Sequence, residues 1–151
     1  MDIAPIDDHE RLFVSSAIDD WPLIDRLDIH VIVDLDADLD RGLPTAPGRI
    51  LYVYLPIRDG ELPDLVVLQS TAAMLADLHR SGHRLLVHCG LGLNRSALLA
   101  CLILHRLGWS GPGAVARVRD RRPGALFNDR FCEYLMALGA PPGEAPGAAT
   151  S

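Results

Sequence analysis

Short runs of branched apolar residues alternate along this chain with segments of helical periodicity, and that alternation restricts the fold more than any other feature. "IHVIVDL" (29–35) and "ILYVYLP" (50–56) are apolar at successive positions, which indicates strands buried on both faces. Residues 65–80 repeat their apolar side chains with a helical period that stops before Gly82, and "RLLVH" (84–88) is the next strand. Strand, helix and strand in succession predict parallel pairing.

The remaining segments complete an α/β pattern. "RLFVSS" (11–16) is a strand candidate, and Asp20 is placed to cap a short helix that has Pro22 in its first turn. "SALLACLILHRL" (96–107) is apolar on nearly every side, as expected of a helix inside a domain. Two more helices are predicted over residues 113–120 and 129–138. The expected fold class is α/β, with a mostly parallel central sheet and helices on both of its faces.

Length and composition predict the domain organisation. The 151 residues suit one compact domain, and 49% hydrophobic with 23% charged residues is a globular balance. Residues 1–10 are interpreted as an N-terminal arm and residues 11–138 as a single domain. Residues 139–151 are rich in Pro, Gly and Ala without apolar anchors, so a disordered tail is predicted there.

Charge and cysteine content restrict the partners and the compartment. A formal net charge of −6 weighs against nucleic acids and anionic membranes as partners. The acidic N-terminal residues do not resemble a secretion signal, and the longest apolar run, 97–104, is too short for a membrane span, so a cytoplasmic protein is expected. Three cysteines without Cys-x-x-Cys spacing argue against a disulfide framework and a structural zinc site, so reduced thiols are expected. We expect neither a metal nor another cofactor. All fourteen basic residues are arginine, which suggests a GC-rich bacterial genome.

One loop joins the predicted strand 84–88 to the apolar helix that follows it, at the sheet edge where open α/β folds bind ligands. Gly90 and Gly92 let its backbone curl so that N–H groups converge, and the helix N-terminus adds a positive dipole. Arg95 supplies a fork of donors that matches two oxygens of a phosphate. The residues predicted to bind phosphate are Gly90, Leu91, Gly92, Leu93, Asn94 and Arg95.

Cys89 lies at the base of this loop, and the same positive field favours its thiolate over its thiol. A thiolate facing a bound phosphate predicts covalent phosphoryl transfer, in which sulfur attacks phosphorus while the loop and Arg95 hold the equatorial oxygens. Water then releases phosphate. Cys101 and Cys132, on apolar helix faces, are interpreted as core residues without chemistry.

Expulsion of an alkoxide or phenoxide also requires a proton donor. "YLPIRDGELPD" (54–64) leaves a predicted strand at the same sheet edge, and Asp59 precedes Gly60 in a turn that can hinge. Asp59 is therefore assigned as the general acid, with Glu61 and Asp64 as competitors. Asp64 also suits the cap of the following helix, and that structural role is assigned to it first.

The segment "HCGLGLNRS" (88–96) resembles the signature of the cysteine-based protein tyrosine and dual-specificity phosphatases: His, Cys, five residues with glycine third, then Arg and Ser. The order of elements over residues 11–138, including "VIVDL" and "FNDRFCEYL", is similar to a compact (atypical) dual-specificity phosphatase. Asp59 precedes Cys89 by 30 residues, as the acid loop does in that family. The resemblance implies that Ser96 donates a hydrogen bond to the sulfur and that His88 supports the loop backbone.

Several of these side chains keep a structural alternative. Ser96 also suits a helix N-terminus, His88 is equally well explained as a structural residue at a strand end, and Asn94 either braces the loop or tolerates a tight turn. Asn128 falls where the family carries a polar residue near the catalytic pocket. A basic run is interpreted as a solvated helix face rather than a docking surface; it consists of Arg117, Arg119, Arg121 and Arg122.

The predicted activity is hydrolysis of phosphomonoesters, namely protein phosphotyrosine and also phosphoserine or phosphothreonine, through a cysteinyl-phosphate intermediate. The expected partners are a phosphorylated protein and a phosphate or sulfate ion in the loop. Three alternatives stay open: a non-catalytic phosphate-binding module, an RNA 5′-phosphatase, and a sulfurtransferase of rhodanese type. No residue between Cys89 and Arg95 is basic, which argues against inositol lipids as substrates.

Overall fold

The computed structural model describes residues 1–141, so most of the predicted tail, from residue 142 onward, lies outside the described residues. The strands are β1 (Ile3–Pro5), β2 (Leu12–Ser15), β3 (Val31–Asp34), β4 (Leu51–Tyr54) and β5 (Leu85–His88). The helices are α1 (Trp21–Arg26), α2 (Leu65–Arg80), α3 (Arg95–Arg106), α4 (Gly111–Arg121) and α5 (Asp129–Met136).

The five strands form one sheet in the order β1-β2-β5-β3-β4. β2, β5, β3 and β4 are mutually parallel, and β1 is antiparallel to β2. Val14, Val33 and Val87 belong to the main core, together with residues of α2, α3, α4 and α5. The alternate residues of the same strands, such as Ile32 and Leu86, pack with α1 in a second cluster. The predicted α/β fold with helices on both faces is confirmed.

The sequence pattern gave the position of β4 along the chain but not its place in the sheet. The prediction that residues 50–56 are buried on both faces is wrong, because β4 is an edge strand in which Leu51 and Tyr54 are exposed. β1 was not predicted at all. It has only three residues, one of them Pro5, and it pairs along one side only, so its sequence carries no clear strand pattern.

The sheet brings the carboxyl ends of three strands together. β5 lies between β2 and β3, so His88, Ser15 and Asp34 are register partners at one edge. The chain then turns from β5 into α3, whose residues 96–105 are all buried, as predicted. Within residues 1–141 no helix combines the length and the apolar character that crossing a bilayer requires.

Candidate active site

The predicted phosphate-binding segment runs from residue 89, directly after β5, to residue 95, the first residue of α3, and is called the phosphate loop below. Cys89 lies at its start and is 2% exposed. The backbone N–H of Gly92 donates to Cys89 Sγ at 3.2 Å, and Ser96 Oγ lies 3.4 Å from the same sulfur. The sulfur therefore receives a main-chain donor and faces a hydroxyl group in the first turn of α3.

The phosphate loop requires glycine at position 92. Gly92 has φ +70°, and a Cβ atom there would lie 2.5 Å from the carbonyl oxygen of Ser15 at the end of β2. The left-handed backbone turns the Gly92 N–H towards the sulfur. The loop and β2 are thus in direct backbone contact, which only a residue without a side chain permits.

Arg122 holds the phosphate loop from behind. It is 4% exposed and donates from Nε to Gly92 O and from Nη2 to Leu91 O, both at 2.9 Å. Because the C=O and N–H of one peptide group point in opposite directions, the N–H groups of Gly92 and Leu93 point away from Arg122. The interpretation of Arg122 as part of a solvated face is wrong. Helical spacing cannot show that the C-cap of α4, which is Arg122, lies against a distant loop.

Arg95 is held beside the loop by three acceptors. Its Nη1 donates to Leu35 O at 3.4 Å, to Ile57 O at 3.3 Å and to Asp36 Oδ1 at 3.3 Å. The two carbonyl groups follow β3 and β4, so the sheet edge fixes the guanidinium group. Its remaining N–H groups are available for the oxygens of a bound anion.

Of the three candidate acids, the structure brings Asp59 to the phosphate loop. Asp59 Oδ2 accepts a hydrogen bond from Asn94 Nδ2 of that loop at 2.8 Å. Glu61 instead forms an exposed ion pair with Arg130. Asp64 accepts hydrogen bonds from the first N–H groups of α2, so the prediction that it caps this helix is confirmed.

A buried polar network lies beneath the loop. His88 Nε2 is 2.7 Å from Asp40 Oδ2 and 3.8 Å from Asp34 Oδ1. Tyr52 donates to Asp34, and its hydroxyl oxygen lies 2.9 Å from Asp40 Oδ2. Burial raises the pKa of Asp34 above its usual value, although hydrogen bonds from Tyr52 and from the Asp36 N–H offset part of that effect. Burial and the bond to Asp34 raise the pKa of Tyr52, so Tyr52 stays a donor.

This network is the one group within residues 1–141 whose side chains could together ligate a metal ion, since ligand atoms of Asp34, Asp40 and His88 lie within 4.8 Å of one another. The same atoms are already hydrogen-bonded to each other and to Tyr52. The arrangement is therefore explained as support for His88, directly before Cys89. Sequence reasoning singled out His88 alone. Asp34 ends the apolar run of β3, and a carboxylate at that position was the sequence signal that could have identified it as a site residue.

The two other cysteines lie away from the loop. Cys101 in α3 is fully buried, and that burial raises the pKa of its thiol, so its assignment to the core is confirmed. Cys132 in α5 is half-buried, packs against the main core and accepts a weak hydrogen bond from Arg119 at 3.4 Å. All three cysteines are free thiols.

Comparison with known proteins identifies a family. Residues 12–140 match the family described as "Dual specificity phosphatase, catalytic domain". Dual specificity protein phosphatase Mpk3 of Drosophila melanogaster is 29% identical over 121 residues, which cover 79% of this chain and 29% of that protein. Dual specificity protein phosphatase 26 of Homo sapiens is 34% identical over 122 residues, which cover 75% of this chain and 56% of that protein.

A solved structure shows the same similarity in three dimensions. The crystal structure of human DUSP28 superposes with a TM-score of 0.72 at 26% identity, covering 89% of this chain and 90% of that one. The chain spans about half or less of the length of the curated relatives first matched. The similarity therefore concerns their catalytic domain.

Proposed function

The chain belongs to the dual specificity phosphatase family through its catalytic domain, and we propose that it hydrolyses phosphomonoesters of proteins by way of a cysteinyl-phosphate. The observation that carries this proposal is the surroundings of one sulfur. Cys89 Sγ receives the Gly92 N–H, faces Ser96 and lies at the base of a loop that ends at Arg95. A nucleophile, a main-chain donor and a cationic fork thus belong to one loop.

In the first step the thiolate of Cys89 attacks phosphorus. The S–P bond forms, the P–O bond to the leaving group breaks, and Asp59 gives its proton to the departing oxygen. The N–H groups of the phosphate loop and Arg95 hold the three equatorial oxygens, where negative charge accumulates in the transition state. The contacts of Arg95 to Leu35 O and Ile57 O keep its fork in place before substrate arrives.

In the second step water attacks the phosphorus of the intermediate. The new P–O bond forms, the S–P bond breaks, and Asp59 accepts the proton of the water. Cys89 leaves as a thiolate, and the Ser96 hydroxyl at 3.4 Å is placed to donate a hydrogen bond to it. His88, held by Asp40, supports the backbone that carries the sulfur.

The surroundings of the loop support a phosphoprotein as substrate. Leu91 is 68% exposed on the loop and Phe127 is 62% exposed on the segment that hydrogen-bonds to it through Leu126 and Leu93. These apolar side chains suit the aromatic ring of a phosphotyrosine.

The charge beside Arg95 argues against other substrates. Asp36 pairs with Arg95, and its negative charge is unfavourable for a substrate with a second phosphate. Inositol lipids and RNA are therefore disfavoured.

The three free cysteines also support a reducing compartment, since the nucleophile must stay a thiol or thiolate. We place the enzyme in the bacterial cytoplasm on that basis and on the composition of the chain. Expression in a bacterial cytoplasm should yield three titratable thiols under denaturing conditions. Fewer than three would contradict this placement.

The first test is release of phosphate from p-nitrophenyl phosphate. We expect turnover by the wild type, none by Cys89→Ser, and loss of both turnover and phosphate binding in Arg95→Ala. Trapping of a 32P-labelled intermediate on Cys89 would identify the covalent step. A folded wild type without turnover would exclude the phosphatase and leave the phosphate-binding module and the sulfurtransferase. Sulfur transfer from thiosulfate to cyanide, unaffected by Asp59→Asn, would instead favour the sulfurtransferase.

A further inference from the structure

Three separate segments of the chain meet at the carboxyl group of Asp59. The first is its own segment, residues 55–64, which contains neither helix nor strand. The second is the phosphate loop, from which Asn94 Nδ2 donates to Asp59 Oδ2 at 2.8 Å. The third is the start of α5, from which Asn128 Nδ2 donates to Asp59 Oδ1 at 2.8 Å. We propose that Asn94 and Asn128 form an amide clamp, a pair of positioning residues that hold the general acid against the phosphate loop.

The orientation of each amide is determined by the backbone around it. Asn94 Oδ1 accepts a hydrogen bond from the Asn128 N–H at 2.9 Å, so its Nδ2 faces Asp59. Asn128 Oδ1 accepts from the Phe131 N–H at 3.2 Å and caps α5, while its Nδ2 also donates to Gly60 O at 3.1 Å. A reversed amide would place a carbonyl oxygen against an acceptor in both cases. Both side chains therefore present N–H groups to Asp59.

The clamp connects the segment that carries Asp59 to the N-terminal ends of two helices. Asn94 is 3% exposed and directly precedes α3, and Asn128 directly precedes α5. Residues 55–64 have no regular hydrogen bonding of their own to fix the Asp59 side chain. Since proton transfer requires the donor within hydrogen-bond reach of the leaving oxygen, a displacement of about 1 Å lowers the rate by as much as about 100-fold.

Two donors are needed because Asp59 changes its protonation state in each turnover. When one carboxyl oxygen carries the proton, it becomes an O–H donor, and the hydrogen bond that it accepts from the facing amide is weakened. The second amide still holds the other oxygen. One contact thus persists in both steps of the reaction. This inference rests on the proposed function, in which Asp59 is the acid and later the base.

The test compares leaving groups, because a general acid matters most when the leaving group is a poor one. The substrates are p-nitrophenyl phosphate, with a good leaving group, and phenyl phosphate, with a poor one. Asn128→Ser keeps a side-chain oxygen to cap α5 but cannot reach Asp59. We expect it to lower kcat/KM about tenfold for phenyl phosphate and less than about threefold for p-nitrophenyl phosphate. Asn94→Ser should do the same.

Two controls separate positioning from a general effect on folding. Ser110→Ala removes the side-chain cap of α4, which accepts from the Gly113 N–H, and should leave both substrates unaffected. In the double variant Asp59→Asn with Asn128→Ser, the second change should cause no further loss, because the clamp acts through the carboxyl group. Thermal unfolding of each variant confirms that it is folded.

The outcomes distinguish the clamp from the proposed function. The clamp would be refuted if Asn128→Ser lowered kcat/KM equally for both substrates, or if its loss added to that of Asp59→Asn. The proposed phosphatase activity would stand in either case. If Asp59→Asn itself showed no dependence on the leaving group, Asp59 would not be the acid and the clamp would fall with it. A wild type inactive on both substrates would refute the proposed function.

Discussion

Gly90 and Gly92 lie two residues apart in the phosphate loop, yet an added methyl group meets different surroundings at each. At Gly92 it would lie 2.5 Å from Ser15 O, on a backbone with φ +70°. We expect Gly92→Ala to lower the free energy of unfolding by about 3 kcal/mol, from backbone strain and overlap together. The new Cβ in Gly90→Ala would be 3.5 Å from its nearest neighbours, so the loss should stay below about 1 kcal/mol. Urea denaturation of both variants measures the difference.

A second residue-scale prediction concerns Asp36. Its carboxylate pairs with Arg95 at 3.3 Å, so an incoming phosphate meets a partly neutralised guanidinium group. Asp36→Asn should lower the inhibition constant of inorganic phosphate about fivefold, since a partly exposed ion pair is worth about 1 kcal/mol. Competition with p-nitrophenyl phosphate gives that constant.

The matched control for Asp36→Asn is Asp38→Asn, which removes the same charge from the same exposed loop. Among the described residues Asp38 forms no ion pair with Arg95. An equal gain in phosphate affinity for both variants would show that only the long-range charge matters, and unchanged affinity in Asp36→Asn would show that the pair is energetically irrelevant.

At the scale of elements, the end of α4 determines the shape of the phosphate loop. Arg122→Met keeps the apolar stem but removes the donors to Leu91 O and Gly92 O. Hydrogen bonds from a charged donor are worth about 1.5 to 3 kcal/mol each, so we expect a loss of at least about 3 kcal/mol in unfolding free energy. Phosphate affinity should also fall at least about tenfold, because the N–H groups of the loop lose their orientation.

Its neighbour Arg121 is the internal comparison. Arg121 pairs with the exposed Asp8 at 3.1 Å and contacts no atom of the phosphate loop among the described residues. Arg121→Met should cost less than about 1 kcal/mol and leave phosphate binding unchanged. Calorimetric titration with phosphate, run on both variants, measures the two effects. A similar loss in both would mean that α4 acts through its overall charge.

At the scale of the whole molecule, two buried carboxylates respond to pH in opposite directions. Burial alone would raise the pKa of Asp7, but hydrogen bonds from His79 and from the N–H groups of Leu12 and Arg11 lower it below 3.8. The stability that Asp7 contributes is therefore present above about pH 4 and is lost as pH falls through its lowered pKa. Asp7→Asn should destabilise the fold by about 3 kcal/mol at pH 7 and by less in acid.

Asp34 has the opposite sign, since burial raises its pKa above 3.8. The folded state holds the Asp34 proton more tightly than the unfolded state, so this group favours folding in acid and its contribution is lost as pH rises through the raised pKa. The change in unfolding free energy that Asp34→Asn causes should therefore be more favourable at pH 7 than at pH 4. Urea denaturation at pH 7 and pH 4 measures this change for Asp34→Asn. Asp7→Asn, measured from pH 7 down to about pH 2, should instead become less destabilising as the pH falls below 4. The same direction of change with pH in both variants would contradict these environments.

The sequence by itself determined the elements other than β1 and the spacing of the residues that we propose to react. The strand positions that follow from apolar runs, the helical period of residues 65–80 and the caps at Asp20 and Asp64 depend on neighbours within a few residues, and these predictions hold. The spacing of Cys89 and Arg95 is likewise local, because both belong to one strand–loop–helix unit. Such features need no knowledge of what packs against them.

Only the tertiary structure decided which distant residues complete these units. The edge position of β4 depends on strand order, which local periodicity does not encode. The burial of Arg122 behind the phosphate loop joins groups about thirty residues apart in sequence, and the meeting of Asp59 with Asn94 and Asn128 spans still more of the chain. Hydrogen bonds between remote segments form only once the core has brought the segments together, and a side chain's type alone does not name its partner.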